Sequence, residues 1–347
     1  MSGNVRLLGI ETSCDETAAA VVDDGHVVLS SEVASSSRLH VRFGGVVPEI
    51  ACREHLRTLV PVVQTALETA AASSESLHGI AVTNRPGLVG ALLIGTSAAK
   101  ALAWAWRKPL VAVNHIEAHI YAAHMAFADL VPPYVALVVS GGHTSIYRVR
   151  DVFTHELLGA TVDDAAGEAF DKVAKYLGLL GEHVHGGPAI EQLARRGDPD
   201  AIRFPRSLSG EGFDFSFSGL KTAVLYHCHG QDAGPTDAPP RLGERVLADV
   251  AASFQEAVVD VLTEKLVRAA RETSVGRMVV GGGVAANGRL REKLTRRASE
   301  ENLEVYFPSP GFCTDNAVMV AGLAYHHLKA GRTASLEMET HAQVERV

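Results

Sequence analysis

Hydrophobic positions along the chain follow two rhythms. Residues 5–11 (VRLLGIE) are a continuous apolar run of strand length, closed by the polar turn Thr12-Ser13-Cys14-Asp15-Glu16-Thr17. Residues 18–22 resume the run up to Asp23-Asp24-Gly25, a hairpin signal, and residues 26–33 predict a third strand. The rhythm then turns helical. Over residues 49–72, Ile50, Leu56, Leu59, Val60, Val63 and Leu67 recur at helical spacing, and Pro61 predicts a kink or a break. A short strand at 79–83, a turn at Arg85-Pro86-Gly87, an apolar helix at 88–106 and a strand at 110–113 follow.

Residues 134–139 (YVALVV) repeat the opening. A buried strand runs into Ser140-Gly141-Gly142-His143-Thr144, and residues 145–149 resume as a strand. Residues 153–162 predict another strand. Asp163-Asp164-Ala165-Ala166-Gly167-Glu168 then opens a helix to about 177, its acidic first turn suited to the positive helix end. Further helices are expected from Gly186-Gly187-Pro188 to about 196, from the end of 214–222 (DFSFSGLKT), and over 246–273, with a linker at 229–243. Residues 277–280 (RMVV) enter Gly281-Gly282-Gly283, with a helix from near Asn287 and a strand at 303–307. Residues 312–316 cap the last long helix, with Asp315 a good N-cap. The likeness of 5–25 to 134–150 predicts two copies of one α/β unit.

Composition narrows the class. A chain of 347 residues, 47% hydrophobic and 21% charged, suggests a folded protein of two domains. Its net charge of −8 is unlike that of a protein gripping nucleic acid through phosphates alone, so RNA would need a local basic patch or a partner. The basic run Arg289, Arg291, Lys293, Arg296 and Arg297 is such a patch or, more simply, a solvated helix face. Cys14, Cys52, Cys228 and Cys313 form no CxxC, which fits a reducing cytosol better than a disulfide framework. No signal-peptide pattern opens the chain, and the apolar window 87–99 reads as a buried helix too short for a bilayer.

Three stretches suggest chemistry. In Asn114-His115-Ile116-Glu117-Ala118-His119 two imidazoles lie one helical turn apart, a spacing that lets both bind one divalent metal. Alone the pair is weak, because a chain with 16 His carries roughly one such pair by chance. Gly141-Gly142 after a buried strand lets backbone approach a ligand, with amides and hydroxyls suited to phosphate. A strand, three glycines and a helix at 277–287 form a nucleotide-site layout, though not a spaced GxGxxG. A protease fits poorly, since HIEAH is not HExxH.

Taken together, GIETSCDET (9–17), GGVVPE (44–49), NHIEAH (114–119), LVVSGGHT (137–144), DDAAGEAFDK (163–172), DFSFSGLKT (214–222), GGGVAAN (281–287) and FCTDNA (312–317) span nearly the whole chain. In this order and spacing the chain resembles the TsaD family, bacterial tRNA threonylcarbamoyladenosine transferases of the actin/sugar-kinase/Hsp70 fold. The resemblance implies an α/β protein of two duplicated actin-like domains with a nucleotide and metal cleft between them. The first domain would comprise residues 1–108 plus about 316–347, and the second residues 109–315, carrying most of the metal and nucleotide site. It implies that His115, His119 and Asp315 hold one divalent metal, Fe2+ ahead of Zn2+. Val138, Val139, Ser140, Gly141, Gly142, Asp171, Gly187 and Asn287 would hold threonylcarbamoyl-AMP or ATP/ADP. Asp15 and Glu16 match the acidic pair that closes the site, and are the candidates for proton transfer.

The reaction implied is transfer of a threonylcarbamoyl group from threonylcarbamoyl-AMP to N6 of the adenosine 3′ of the anticodon in tRNAs reading ANN codons, with release of AMP. The implied partners are tRNA, a TsaB-like paralogue, a TsaE-like ATPase and an upstream TsaC-type enzyme, in the cytoplasm and away from membranes. The chain departs from the family at Arg85 (usually Gly), Ala118 (usually Gly), Val184-His185 (usually an aromatic and Pro) and its C-terminal tail. These departures leave open a paralogous carbamoyltransferase with a small-molecule acceptor, or a non-enzymatic nucleotide-binding member of the fold.

Overall fold

The structure is a computed structural model that describes residues 4–40, 43, 45–127, 129–180, 186–210, 212–232 and 240–343. Its strands are β1 (Arg6–Glu11), β2 (Glu16–Asp23), β3 (Val27–Ser35), β4 (Gly79–Arg85), β5 (Leu110–Asn114), β6 (Tyr134–Val139), β7 (Thr144–Asp151), β8 (Thr154–Ala160), β9 (Arg277–Gly281) and β10 (Glu304–Tyr306). The helices, in chain order, begin with α1 (Ser37–His40), α2 (Pro48–Thr69), α3 (Val89–Trp106), α4 (His115–Ala126), α5 (Ala166–Tyr176) and α6 (Gly186–Ala194). They continue with α7 (Ser218–His229), α8 (Glu244–Glu272), α9 (Gly288–Glu300), α10 (Pro310–Cys313) and α11 (Ala317–Lys329).

Two compact units result, Met1–Leu130 with Thr314–Val347, and Val131–Cys313. Each holds a five-stranded sheet, in the order β3-β2-β1-β4-β5 in the first and β8-β7-β6-β9-β10 in the second. The two orders are the same pattern read through two stretches of chain, so the duplication expected from residues 5–25 and 134–150 is present. The sequence reading ends the first domain at 108. The structure carries it to 130, because β5 pairs in parallel with β4 and α4 packs against α11. His115, His119 and Asp315 therefore all lie in the first unit, not in the second.

Burial explains the strand assignments. β1 and β4 are parallel, with Leu8 opposite Ile80, and their side chains are almost all buried, as parallel strands covered on both faces require. β3, at the sheet edge, is largely exposed or half-buried, with Ser30 buried. Leu59, Val63 and Ala66 of α2, with Ala99 and Ala103 of α3, cover one face together with Ile10, Val21 and Val82. α11 also packs against the sheet, closely at Gly9: a Cβ there would lie 2.4 Å from the Ala317 carbonyl oxygen. Glycine at that point lets α11 sit against β1, which brings its N-terminal residues toward the carboxyl ends of the strands.

Several elements differ from expectation for local reasons. α2 runs unbroken through Pro61, which lies on the exposed side, where water can satisfy the carbonyl that the ring leaves unpaired. α3 is 18 residues, longer than the window 87–99, and passes for a membrane span by length and composition alone. Its Ala91, Leu92, Gly95, Thr96, Ala99 and Ala103 are buried inside the unit. α5 starts at Ala166 rather than Asp163, so the two aspartates do not serve its dipole. Instead Asp163 accepts bonds from the Ser216 hydroxyl and the Phe217 amide, and Asp164 pairs with Lys172 and Lys221. They fasten the 214–222 segment to the end of β8. The expected linker at 229–243 falls partly outside the described residues, as does Val184-His185.

Candidate metal centre

β5 ends at Asn114, which caps α4: its Oδ1 accepts the Ile116 amide at 2.9 Å and its Nδ2 donates to Glu117 at 3.2 Å. His115 is the first helical residue and His119 stands one turn on, with ring centroids 4.5 Å apart and planes at 83°. At the head of α11 the N-cap is Asn316, whose Oδ1 accepts the Met319 amide at 3.0 Å. Asp315 is thereby released from the capping role that the sequence offered it. Its Oδ1 lies 3.1 Å from Nε2 of His119 and 3.4 Å from Nε2 of His115.

One ligand atom from each of the three residues falls within 4.8 Å of the others, the candidate metal-ligand group of three or more among the described residues. Two neutral imidazole nitrogens and a carboxylate oxygen suit a divalent transition metal and leave positions open. Both histidines are buried, and Nδ1 of His119 has no hydrogen-bond partner among the described residues. Such an orphan is tolerable if the ring is held from its other side, so the residues fit a metal.

The electrostatics are those of a buried charge cluster. Burial opposes a charge on His115, but Asp315 and Glu11 outweigh it and hold the imidazole well above its ordinary range. Burial and then the neighbouring His115 push His119 down. Burial also works against Asp315, yet the two histidines keep its carboxyl well below the usual carboxylate range. Glu16, on the edge of the same cluster, is pushed up to about 9 by burial, then by Asp15 and Asp315. Asp15 is buried, and its Oδ2 lacks a hydrogen-bond partner among the described residues.

The remaining expected residues are all in the second unit. Val138 and Val139 are buried in β6. The turn after them is closed by a bond from the Ser140 amide to the His143 carbonyl at 2.8 Å, and Gly141 and Gly142 are exposed. β9 runs parallel to β6 with Gly281 opposite Val138, so both glycine segments emerge at carboxyl ends of adjacent strands, the usual ligand edge of such sheets. Asp171 accepts the Gly186 amide at 2.6 Å, which ties α5 to the head of α6 beside Gly187. Asn287 is engaged within the protein: it caps α9 through Leu290 and donates to Gln255 at 2.8 Å.

Three residues of the α9 basic run are spent internally, and Arg296 and Arg297 make exposed pairs along the helix. Arg289 and Lys293 pair with Glu256, Arg291 bonds the Ala285 and Pro308 carbonyls, and Arg296 and Arg297 pair with Glu300. Sequence reasoning missed Glu11 and Ser13, which face His115, and Thr83, which bonds Glu11. The available signal was a glutamate ending an otherwise apolar strand.

Comparison with known proteins identifies the family. Residues 27–322 match the model of the family TsaD, tRNA N6-adenosine threonylcarbamoyltransferase. A protein of that name from Anaeromyxobacter dehalogenans (strain 2CP-C) is 52% identical over 337 residues, 96% of this chain and 97% of the relative. Another from Syntrophobacter fumaroxidans is 53% identical over 324 residues, 93% and 94% of the two chains. The chain belongs to the tRNA N6-adenosine threonylcarbamoyltransferase family. It is a transferase of the tRNA-modification class, as the motif order implied.

Solved structures agree on the fold. Full-length HypF in its phosphate- and nucleotide-bound form matches with a TM-score of 0.61 at 14% identity, over 95% of this chain and 56% of that one. The Acidaminococcus fermentans (R)-2-hydroxyglutaryl-CoA dehydratase component A matches with 0.54 at 14% identity, over 94% and 99%. Of the two positions read as departures, Ala118 is fully buried in α4 and Arg85 is exposed at the end of β4.

Proposed function

We propose that this chain transfers the threonylcarbamoyl group of threonylcarbamoyl-AMP to N6 of the adenosine 3′ of the anticodon in tRNAs reading ANN codons. The observation that carries the reading is the convergence of His115, His119 and Asp315 within the first unit. It occurs in a chain about half identical to transferases over nearly its full length. The two units are the two actin-like domains, with metal ligands in the first and nucleotide positions in the second.

His115, His119 and Asp315 hold one divalent ion, Fe2+ or Zn2+. When bound, the ion supplies a Lewis acid for an oxygen of the carbamoyl group. Backbone amides of Gly141 and Gly142 orient the adenylate phosphate, Asp171 and Gly187 hold the nucleoside, and Asn287, committed within the protein, fixes the head of α9. The N6 amine attacks the carbamoyl carbon, and the bond from that carbon to the phosphate oxygen breaks, so AMP leaves with the bonding pair. The N6 proton leaves to the Asp15–Glu16 pair. Glu16, pushed up to about 9, carries a proton near neutrality, and Asp15 beside it is the acceptor.

A TsaC-type enzyme makes the adenylate, a TsaE-like ATPase regulates turnover, and a TsaB-like paralogue docks on the first unit, all in the cytoplasm. Support for such docking is the exposed apolar set Leu56 and Val60 on α2 with Leu93 and Trp104 on the neighbouring α3. Since Arg289, Arg291 and Lys293 of α9 are engaged within the protein, most tRNA contact falls to other surfaces and to the partners.

The test is nucleoside mass spectrometry after incubating the purified chain with threonylcarbamoyl-AMP, unmodified tRNA and the partner proteins. Wild type should yield threonylcarbamoyladenosine and His115→Ala should not. Product at the wild-type rate from His115→Ala, or label appearing in a small metabolite instead of tRNA, would overturn the reading.

A further inference from the structure

Glu11 is the last residue of β1 and is completely buried. A carboxylate there is costly unless something uses it, and the strand's neighbours Leu7, Leu8 and Ile10 do not. Its two oxygens are fully committed. Oε1 accepts the Ser13 amide at 2.6 Å, and Oε2 accepts the Thr83 hydroxyl at 2.6 Å. Oε2 also lies 3.1 Å from Nδ1 of His115, a nitrogen that has the Ser13 hydroxyl 3.3 Å away as well.

A histidine that binds metal through Nε2 must carry its proton on Nδ1, and an acceptor placed there sets both tautomer and ring angle. Nε2 of His115 faces Asp315, and Nδ1 faces Glu11. His119 has no counterpart, since its buried Nδ1 lacks a partner among the described residues. The two ligand histidines are therefore unequal, one anchored from behind and one not. We propose that Glu11 is a positioning residue of the metal centre, accepting Nδ1–H of His115 so that Nε2 is presented to the ion. This rests on the reading that His115, His119 and Asp315 bind metal, and it adds the residue that orders the first of them.

Glu11→Gln is a sharp probe because it keeps the shape. The amide oxygen is required opposite the Ser13 amide, which turns the NH2 group toward Nδ1 of His115. That contact favours the tautomer with the proton on Nε2, the nitrogen needed for the metal. The experiment is calorimetric titration of the metal-free full chain with Zn2+, for wild type, Glu11→Gln and His119→Ala. Circular dichroism monitors folding. Wild type should bind one Zn2+, Glu11→Gln should bind about 10- to 100-fold more weakly with an unchanged spectrum, and His119→Ala more weakly still.

A Glu11→Gln affinity within twofold of wild type, while His119→Ala is impaired, overturns the role of Glu11 alone. Equal affinity for wild type and His119→Ala, or no binding by wild type, overturns the metal reading and this role together. If Glu11→Gln does not fold, nitrogen-15 histidine spectra of the zinc-loaded wild type decide, with His115 assigned by its loss in His115→Gln. A protonated Nδ1 and ligated Nε2 are expected, and a ligated Nδ1 overturns the proposal.

Discussion

The two units fold by one plan and spend it on opposite chemistries. β1 and β6 hold the same place in their sheets, as do β4 and β9. In the first unit β1 ends in buried Glu11, and β4 ends in Thr83, Asn84 and Arg85. In the second, β6 runs into Ser140-Gly141-Gly142, and β9 into Gly281-Gly282-Gly283. Side chains do the work at the first edge, where a carboxylate, a hydroxyl and two imidazoles are wired together under cover. On the proposed reading, the backbone of the glycine segments would do it at the second. A duplicated scaffold thus supplies the same strand order twice, and on the proposed reading the residues at the strand ends decide whether the edge suits a cation or an anion.

Removing a metal-ligand side chain should break this contrast most severely. Asp315→Ala leaves His115 and His119 without the carboxylate that faces both. It should abolish tight Zn2+ binding and lower the rate of tRNA modification at least about a hundredfold, read by calorimetry and nucleoside mass spectrometry. No single side chain among residues 138–142 should have an effect of that size if the second edge works through its backbone.

A backbone edge should instead fail when a Cβ is forced into it. Gly282 sits at φ +89°, and a Cβ there would lie 2.5 Å from the Val139 carbonyl oxygen. Gly282→Ala should cost roughly 2–3 kcal/mol, seen as an earlier transition in chemical denaturation. An unchanged transition would mean that the β6–β9 edge can relax, and that its shape is not set by glycine.

The second unit also carries buried charge, but for structure. Burial opposes ionisation of Glu256, yet Arg289 and Lys293 bring its carboxyl down from 4.5 to about 2. A depressed carboxylate stabilises the fold fully above its unfolded value, and that contribution is lost as pH falls through about 2. Glu256→Gln should therefore destabilise by about 1–2 kcal/mol at neutral pH, discounted because the outer charges of the network are solvated. The difference from wild type should shrink between pH 4.5 and 2 in acid titrations followed by circular dichroism. A constant difference across that range would show that the network does not hold α9 to α8.

Most of this plan was legible in the chain itself. Apolar runs at 5–11 and 134–139 give the central strands, because strands buried on both faces must be apolar throughout. His115 and His119 could be paired from helical spacing, but Asp315 could be joined to them only through the family resemblance. Nothing local says that α11 packs against β1 through Gly9. The same limit hid Glu11 and Thr83: His115 comes 104 residues after Glu11 and on a helix, and Thr83, which bonds Glu11, comes 72 residues after it on another strand. Asp163 and Asp164 misled because an acidic helix start is a sufficient local explanation. Only the fold shows that 214–222 lies alongside to claim them.

The smallest expected effect on stability is the one that separates fold from ligand most cleanly. Gly141 is exposed, and a Cβ built on it meets no atom within 4 Å. Its φ is not in the left-handed region, so the turn does not need glycine for conformation. Gly141→Ala should accordingly leave the unfolding transition within about 0.5 kcal/mol of wild type. On the reading that residues 138–142 meet an adenylate, the added methyl occupies the space the phosphate uses, and AMP should bind about tenfold more weakly, roughly 1.4 kcal/mol. Calorimetry with AMP on the full chain measures this. If AMP binds Gly141→Ala as it binds wild type, the open face of that turn is not where the nucleotide lies. If affinity falls while stability holds, glycine is present there for what approaches the backbone rather than for the backbone itself.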